Sequence, residues 1–290
     1  MKFKMIISRL MTMFFIMSII ASIPVNKVHA DAYKVITLGA DLTEQQKEEM
    51  IKYFNVNKNE VNVLEVNRDE EVKYLGGVAS EKEIGTKSIS CSYVEPTSTG
   101  GLNISTNNIY WVSESMIRNA LITAGIKNAN VKAAAPFKVS GTAALTGILK
   151  GFENSNGGKK IDENKKKAAN EEVVVTGKLG EKIGQDQAAN LINEAKKEVV
   201  KEKPKTDEEI QKIVKGVVSN YSSKLTDEDI QNITALMKKI NSLNLDFNQI
   251  KDQLNDVTKK LKGTLTSTEA QGFFRSMWNA IKNFFSKIFA

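Results

Sequence analysis

Residues 153–160, Glu-Asn-Ser-Asn-Gly-Gly-Lys-Lys, divide this chain of 290 residues into two parts with different patterns. The stretch contains no large apolar residue, and its Asn-Gly pair is typical of a turn. Before it, short β-branched runs alternate with helical patterns; after it, apolar residues recur only at helical spacing. We therefore predict an α+β fold, in which an N-terminal mixed α/β sheet domain precedes an all-α helical domain that ends in an amphipathic helix. The predicted bounds are 31–152 for the sheet domain, 153–160 for a linker, 161–267 for the helical domain and 268–290 for the amphipathic helix.

Several helix starts are marked by residues that cap helices. Residues 43–46, Thr-Glu-Gln-Gln, match a capping box that follows a β-branched run. Asn67 and Ser113 are candidate caps of two further helices in the first half. In the second half, Thr206 and Thr226 each begin a Thr-Asp-Glu stretch that leads into apolar residues at helical spacing. These signals predict where five helices begin.

The region before the linker contains two candidate reactive residues. Cys91 lies in the middle of a predicted strand beside apolar neighbours, and we interpret it as a small buried hydrophobe. Turn-rich residues 96–101 follow, so residues 102–112 are predicted to return as the second strand of a hairpin. Ser140 precedes a helix of small residues, but the glycine that a nucleophile elbow needs two places earlier is missing. We therefore predict that Ser140 is a helix N-cap.

The N-terminal segment has the pattern of a secretory signal peptide. Lys2, Lys4 and Arg9 precede an apolar run at residues 10–23, which is shorter than the ~20 residues of a membrane span. Small residues flank His29 at the positions that a signal peptidase recognises, so cleavage before Asp31 would remove residues 1–30. The alternative is that the segment stays attached as an anchor. Export without disulfides, together with the abundance of Lys, Asn and Ile, favours a secreted protein of a bacterium over one of a eukaryote.

The composition of the mature chain excludes several kinds of chemistry. Cleavage would remove the single histidine and leave Cys91 as the single cysteine, so Ser-His and Cys-His catalysis, the usual zinc sites and an intrachain disulfide are excluded. We predict no cofactor and no metal. Cleavage also takes away four of the 41 lysines and arginines and no acid, which leaves 37 bases against 34 acids. Since these lysines are interspersed with acids, nucleic acid is not an expected partner.

Four short stretches resemble a known family. They are residues 37–43 (Thr-Leu-Gly-Ala-Asp-Leu-Thr), 124–126 (Ala-Gly-Ile), 139–147 (Val-Ser-Gly-Thr-Ala-Ala-Leu-Thr-Gly) and 243–246 (Leu-Asn-Leu-Asp). Together they resemble the YpuA-like family of uncharacterised secreted proteins from Gram-positive bacteria, a domain of unknown function. The resemblance covers nearly all of the mature chain. It implies export and a two-part layout, and it supplies no catalytic residues.

The strongest functional signal lies in the last 18 residues. At about 100° per residue, one side of a helix would carry nine large apolar residues and the other side three bases. Such a helix either packs on its own chain or a partner protein, or lies on an anionic membrane. The sequence leaves both alternatives open. The predicted binding residues are Phe273, Phe274, Arg275, Met277, Trp278, Ile281, Lys282, Phe284, Phe285, Lys287, Ile288 and Phe289.

These observations predict a secreted, non-catalytic protein that acts at the cell envelope by binding. Its expected location is extracellular, at the outer face of the cell membrane, and its expected partner is an anionic membrane surface or an envelope protein. The sequence carries no evidence on oligomeric state. The alternative is an extracellular hydrolase that cleaves envelope polymers through carboxylates, which would need two acids facing each other about 5–9 Å apart across a cleft.

Overall fold

A computed structural model describes residues 34–155, 160–221 and 224–264. Its sheet domain contains five strands in the order β2-β1-β3-β5-β4. β1 and β2 are parallel, as are β4 and β5, whereas β3 is antiparallel to both β1 and β5. The strands are β1 (Val35–Gly39), β2 (Asn62–Val66), β3 (Cys91–Pro96), β4 (Leu102–Ile109) and β5 (Ala129–Val139).

The hairpin predicted for residues 102–112 is wrong. β4 does not pair with β3, because β5 lies between them and pairs with both. The reason lies in the side chains. Ala133, Ala134 and Ala135 of β5 are all buried, so this strand is covered on both faces and takes an internal position. In β4, Asn103 and Ser105 are exposed, which suits an edge strand.

Ten α-helices and one short 3-10 helix (Lys58–Glu60) accompany the sheet in the described residues. The predicted caps Thr43, Asn67, Ser113, Thr206 and Thr226 each accept a hydrogen bond from the first turn of their helix. The first five helices are α1 (Glu44–Phe54), α2 (Arg68–Leu75), α3 (Glu81–Ile84), α4 (Glu114–Thr123) and α5 (Thr142–Glu153). The other five are α6 (Glu163–Ile183), α7 (Gln185–Glu202), α8 (Asp207–Val218), α9 (Asp227–Ser242) and α10 (Phe247–Thr264).

Ser140 is not the N-cap of α5, contrary to the prediction. That position belongs to Gly141, which has a φ of 103° and makes no side-chain cap bond. The chain turns sharply there from β5 into α5, and a Cβ on Gly141 would lie 2.5 Å from Cγ2 of Ile109. A residue with positive φ and no room for a side chain must be glycine.

Helices cover both faces of the sheet. α5 packs on one face against β1, β2, β3 and β5, and α1 packs on the opposite face. The core under α1 is small and includes Ile36, Met50, Phe54 and Cys91. The core on the α5 side is larger and extends without a break into α6–α10. The α+β class is therefore confirmed, whereas the division into domains at residues 153–160 stays a prediction.

The helical part is organised around α7. This helix packs against α4, α6, α8, α9 and α10, and residues 191–200 are all buried. The apolar spacing predicted for the later helices faces the same core, as Ile213 and Val217 of α8 and Leu254 and Val257 of α10 are buried. In the parts of the chain that the structure describes, no helix is both long enough and apolar enough to cross a bilayer.

Candidate functional site

The predicted binding residues 273–289 lie outside the described residues. The other sequence candidates lie inside them, and the structure brings several together. Residues 88–92 lead into β3 and include its first two residues. The loop after β1 and the start of α5 both form hydrogen bonds with this segment. We call this contact the polar seam; it consists of residues 39–41, Glu71, 88–92 and 141–146.

Hydrogen bonds join residues 88–90 of the polar seam to the loop after β1 and to the first turn of α5. The carboxylate Oδ2 of Asp41 accepts from the backbone N–H of Ser88 at 2.7 Å, and the N–H of Asp41 donates to the carbonyl oxygen of Ser88 at 3.1 Å. The hydroxyl of Ser90 accepts from the backbone N–H of Ala144 in the first turn of α5 at 2.8 Å. The side chain of Asp41 therefore holds a backbone N–H group of another segment in place, which is a role that short acidic side chains often have in loops.

Glu71 is a buried acid in the polar seam. Its side chain accepts a hydrogen bond from the hydroxyl of Ser88, and the residue has no exposed surface. Burial raises the pKa of Glu71, although the hydroxyls of Ser88 and Thr142 and the charge of Arg68 act in the opposite direction. Desolvation therefore favours the neutral acid, which can donate as well as accept a hydrogen bond.

Cys91 lies in the small core under α1 and is fully buried. Its thiol is 3.6 Å from the carbonyl oxygen of Ile89. Burial raises the pKa of this thiol to about 12, so the reactive thiolate is not formed near neutral pH. The interpretation of Cys91 as a small buried hydrophobe agrees with this geometry.

Replacement of Cys91 by Ala should lower the free energy of unfolding by about 1 kcal/mol, because one buried sulfur is lost. In the native wild type, a thiol reagent at pH 8 should label Cys91 only as fast as the protein unfolds, and in urea the label should appear at once. Mass spectrometry of the labelled protein measures both rates. Fast labelling of the native protein would contradict the burial.

A cavity of about 210 Å³ lies between α2, α5 and α6. Its floor consists of the buried residues Thr146, Leu149, Lys166 and Asn170, whereas the residues of its rim are partly or fully exposed. The rim residues are Glu70, Tyr74, Lys150, Glu153 and Asn154. Sequence reasoning missed this site, since its residues come from three helices and each resembles the ordinary polar face of its own helix.

Each carboxylate at the cavity is paired with a lysine. Lys150 Nζ is 2.6 Å from Glu70 Oε1, and Lys166 Nζ is 2.8 Å from Glu153 Oε1. Burial lowers the pKa of Lys166, but the carboxylates of Glu153 and Glu163 outweigh this effect and leave the pKa raised, so the lysine is charged. Both carboxylates at the cavity therefore already have an ammonium group as their partner.

Comparison with known proteins places the chain in a family. The family model described as "Protein of unknown function (DUF1002)" matches residues 38–257. The chain belongs to this family. It is also 39% identical over 260 residues to the "Uncharacterized protein YpuA" of Bacillus subtilis (strain 168), which covers 87% of this chain and 89% of that protein. No solved structure gives a significant match.

The family resemblance inferred from short stretches is thus confirmed, and two of these stretches meet at the polar seam. Residues 37–43 include the loop after β1 and residues 139–147 include the start of α5, and both contact residues 88–92 through hydrogen bonds. The DUF1002 match ends at residue 257, before the predicted binding segment 273–289 begins. In the described part of the chain, no group of three or more His, Cys, Asp or Glu side chains is placed to hold a metal ion.

Proposed function

We propose that this chain is an exported, non-catalytic protein that binds at the cell envelope, and that residues 273–289 attach it to an anionic membrane surface. The observation that carries the proposal is the order of residues in this segment, which in a helix would place nine large apolar residues on one side and three bases on the other. The last 18 residues of the sequence, 273–290, would form a helix about 27 Å long, which is enough to lie flat in the headgroup layer.

The charges and the apolar residues contribute differently to this attachment. Each base near an anionic surface contributes about 1 kcal/mol, so Arg275, Lys282 and Lys287 together contribute about 3 kcal/mol. This would change the partition coefficient about a hundredfold between anionic and neutral membranes. The five phenylalanines and Trp278 would supply the remaining affinity through burial of apolar surface.

The described residues support a non-catalytic role. Asp41 bonds to backbone, Cys91 is a buried thiol, and Glu70 and Glu153 are paired with lysines. A carboxylate hydrolase requires two facing acids with room for a sugar ring or a water between them. In the cavity between α2, α5 and α6, ammonium groups already hold the carboxylates, which does not favour that alternative.

A vesicle assay tests the proposal on the mature chain from Asp31. The protein should sediment with vesicles of equal parts phosphatidylglycerol and phosphatidylcholine, less with pure phosphatidylcholine, and less in high salt because the charges are screened. Deletion of residues 273–290 should abolish sedimentation and leave the rest folded, as judged by circular dichroism and urea denaturation.

Matched charge variants separate a specific effect from a loss of net charge. Replacement of Arg275, Lys282 and Lys287 by Gln should lower binding about a hundredfold. Replacement of the exposed Lys205, Lys212 and Lys215 by Gln removes the same charge and should leave binding nearly unchanged. If the intact protein ignores vesicles and the deletion unfolds the helical part, the segment is a packing helix and the membrane proposal is wrong.

A further inference from the structure

Two aromatic side chains are exposed at the same end of the sheet. Tyr110, which follows β4, is 63% exposed, and Phe137, near the end of β5, is 49% exposed. They are the two most exposed large apolar residues in the part of the chain that the structure describes. The backbone N–H of Tyr110 donates to the carbonyl oxygen of Val139 at 3.0 Å, so the two aromatic residues lie within about 15 Å of each other. We call them the aromatic patch.

The backbone holds the aromatic patch outside the core. β5 bulges just before it ends, where three residues of β4 stand opposite six residues of β5. Asn108 has a φ of 57°, and its side-chain amide donates to the carbonyl oxygen of Ala135 at 2.9 Å, which fixes the bulge. Phe137 lies in this bulge, and bulges commonly turn a side chain out of the regular sheet. The buried Trp111, next to Tyr110, anchors the other half of the patch.

The direction of α10 follows from its contacts with α4. Gln253 donates to the carbonyl oxygen of Ile126, just after α4, at 3.1 Å. Three residues later, Asp256 Oδ2 is 3.8 Å from Nη1 of Arg118, which lies in the middle of α4. Since the residue numbers rise along α10 and fall along α4, the two helices are antiparallel.

α4 is in turn antiparallel to β4. Arg118 donates to the carbonyl oxygen of Leu102 at the start of β4, and the carboxylate of Glu114 accepts from the backbone N–H of Thr106 at 3.2 Å. Two reversals leave α10 running in the same direction as β4. The C-terminal end of α10 therefore points towards the end of β4, where Tyr110 lies.

The chain that follows α10 is long enough to reach the aromatic patch. From Asp256, which is level with the start of β4 through their common arginine, α10 continues for eight residues, or about 12 Å. β4 spans about 23 Å from Leu102 to Ile109, so about 11 Å remain. Residues 265–272 can cover up to about 26 Å. The predicted binding segment 273–289 can therefore begin beside the patch.

We propose that residues 273–289 dock on the aromatic patch through their apolar side when no membrane is present. Tyr110 and Phe137 then pack against the apolar residues of the segment, which removes apolar surface of both from water. The exposed Lys138, next to Phe137, repels the three bases of the segment, so their basic side faces away from the patch.

The aromatic patch and the membrane compete for the same apolar side of the segment. This consequence rests on the proposed function, because the second competitor is the anionic membrane surface. A docked form that outnumbers the free form about ten to one lowers the apparent affinity for vesicles about tenfold. The aromatic patch therefore limits attachment to the membrane.

Acrylamide quenching of the two tryptophans tests the docking in the mature protein without vesicles. Trp111 is buried, so a change in quenching reports on Trp278. In the wild type, both should be protected. In the double variant Tyr110→Ser with Phe137→Ser, about half of the emission should become quenchable, because one tryptophan of two is released. The same double substitution in the chain without residues 273–290 shows whether Trp111 itself stays protected.

Sedimentation with the vesicles of phosphatidylglycerol and phosphatidylcholine tests the competition. The double variant should bind them about tenfold more tightly than the wild type does. Tyr53→Ser with Val72→Ser is the matched control, since it removes two apolar residues that are 45% and 44% exposed on α1 and α2. The control should change neither the quenching nor the vesicle affinity.

Full quenching of Trp278 in the wild type would overturn the docking, and so would a measurable vesicle affinity that the double variant does not raise. Release of Trp278 by the control variant as well would show that the aromatic patch is not the docking site. If no variant binds vesicles but the double variant alone releases Trp278, the docking is supported and only the membrane proposal fails.

Discussion

Lys196→Ala should lower the free energy of unfolding by about 3 to 5 kcal/mol, because it breaks a buried ion pair. Lys196 lies in α7 with no exposed surface, and its ammonium group is 2.7 Å from Glu172 Oε1 of α6. It also donates to the carbonyl oxygen of Asn119 at 2.9 Å and lies 3.1 Å from the hydroxyl of Thr123, both in α4. Truncation would leave the carboxylate of Glu172 buried without a countercharge.

Urea denaturation measures this loss, and two further variants show its cause. The double variant Lys196→Met with Glu172→Leu removes both charges and should regain most of the stability, because apolar residues of similar volume can replace a buried ion pair. Lys238→Ala breaks an exposed pair with Asp207 and should cost less than about 1 kcal/mol. If Lys196→Ala lowers the free energy of unfolding no more than Lys238→Ala does, then breaking the buried ion pair between Lys196 and Glu172 does not destabilise the fold as predicted.

Gly39→Ala should lower the free energy of unfolding by about 2 to 3 kcal/mol, because the added methyl group has no room. A Cβ at residue 39 would come within 2.7 Å of the carbonyl carbons of Ser88 and Ile89. These atoms belong to the backbone and cannot rotate away, and the Ser88 backbone is also bonded to Asp41. The added methyl group would therefore force the polar seam apart.

Gly77→Ala provides the comparison for Gly39→Ala. Gly77 is exposed, and a Cβ there would meet nothing within 4 Å. The substitution should change the free energy of unfolding by no more than about 0.5 kcal/mol. Thermal and urea denaturation of both variants measures the difference. If both variants lose a similar free energy of unfolding, the close approach of the Ser88 and Ile89 backbone to Gly39 is not the cause of the loss.

Features that depend on neighbouring residues were predictable from the sequence. Thr43 and Thr226 bond to backbone groups three residues later, so their capping boxes are visible in the order of the amino acids. The apolar spacing of α8 and α10 follows from the period of a helix for the same reason. The amphipathic pattern of residues 273–289 is local as well, and it predicts a surface without identifying what that surface touches.

The order of the strands was decided by tertiary structure. β3 and β4 are close in sequence, and a turn-rich connection favours a hairpin between them. Burial of both faces of β5 outweighs that local preference and inserts β5 between the two strands. Likewise, Gly141 rather than Ser140 precedes α5 because Ile109, which is distant in sequence, leaves no room for a side chain.

The buried ion pair and the cavity were also decided by tertiary structure. Lys196 and Glu172 are 24 residues apart, and Lys196 reaches Asn119 over 77 residues. The sequence around Lys196 has the pattern of a helix with one polar side, but five other helices surround α7 and bury that side too. A charge that the pattern assigns to solvent must then find its partner inside the protein, and only the packing of distant helices determines which partner it meets.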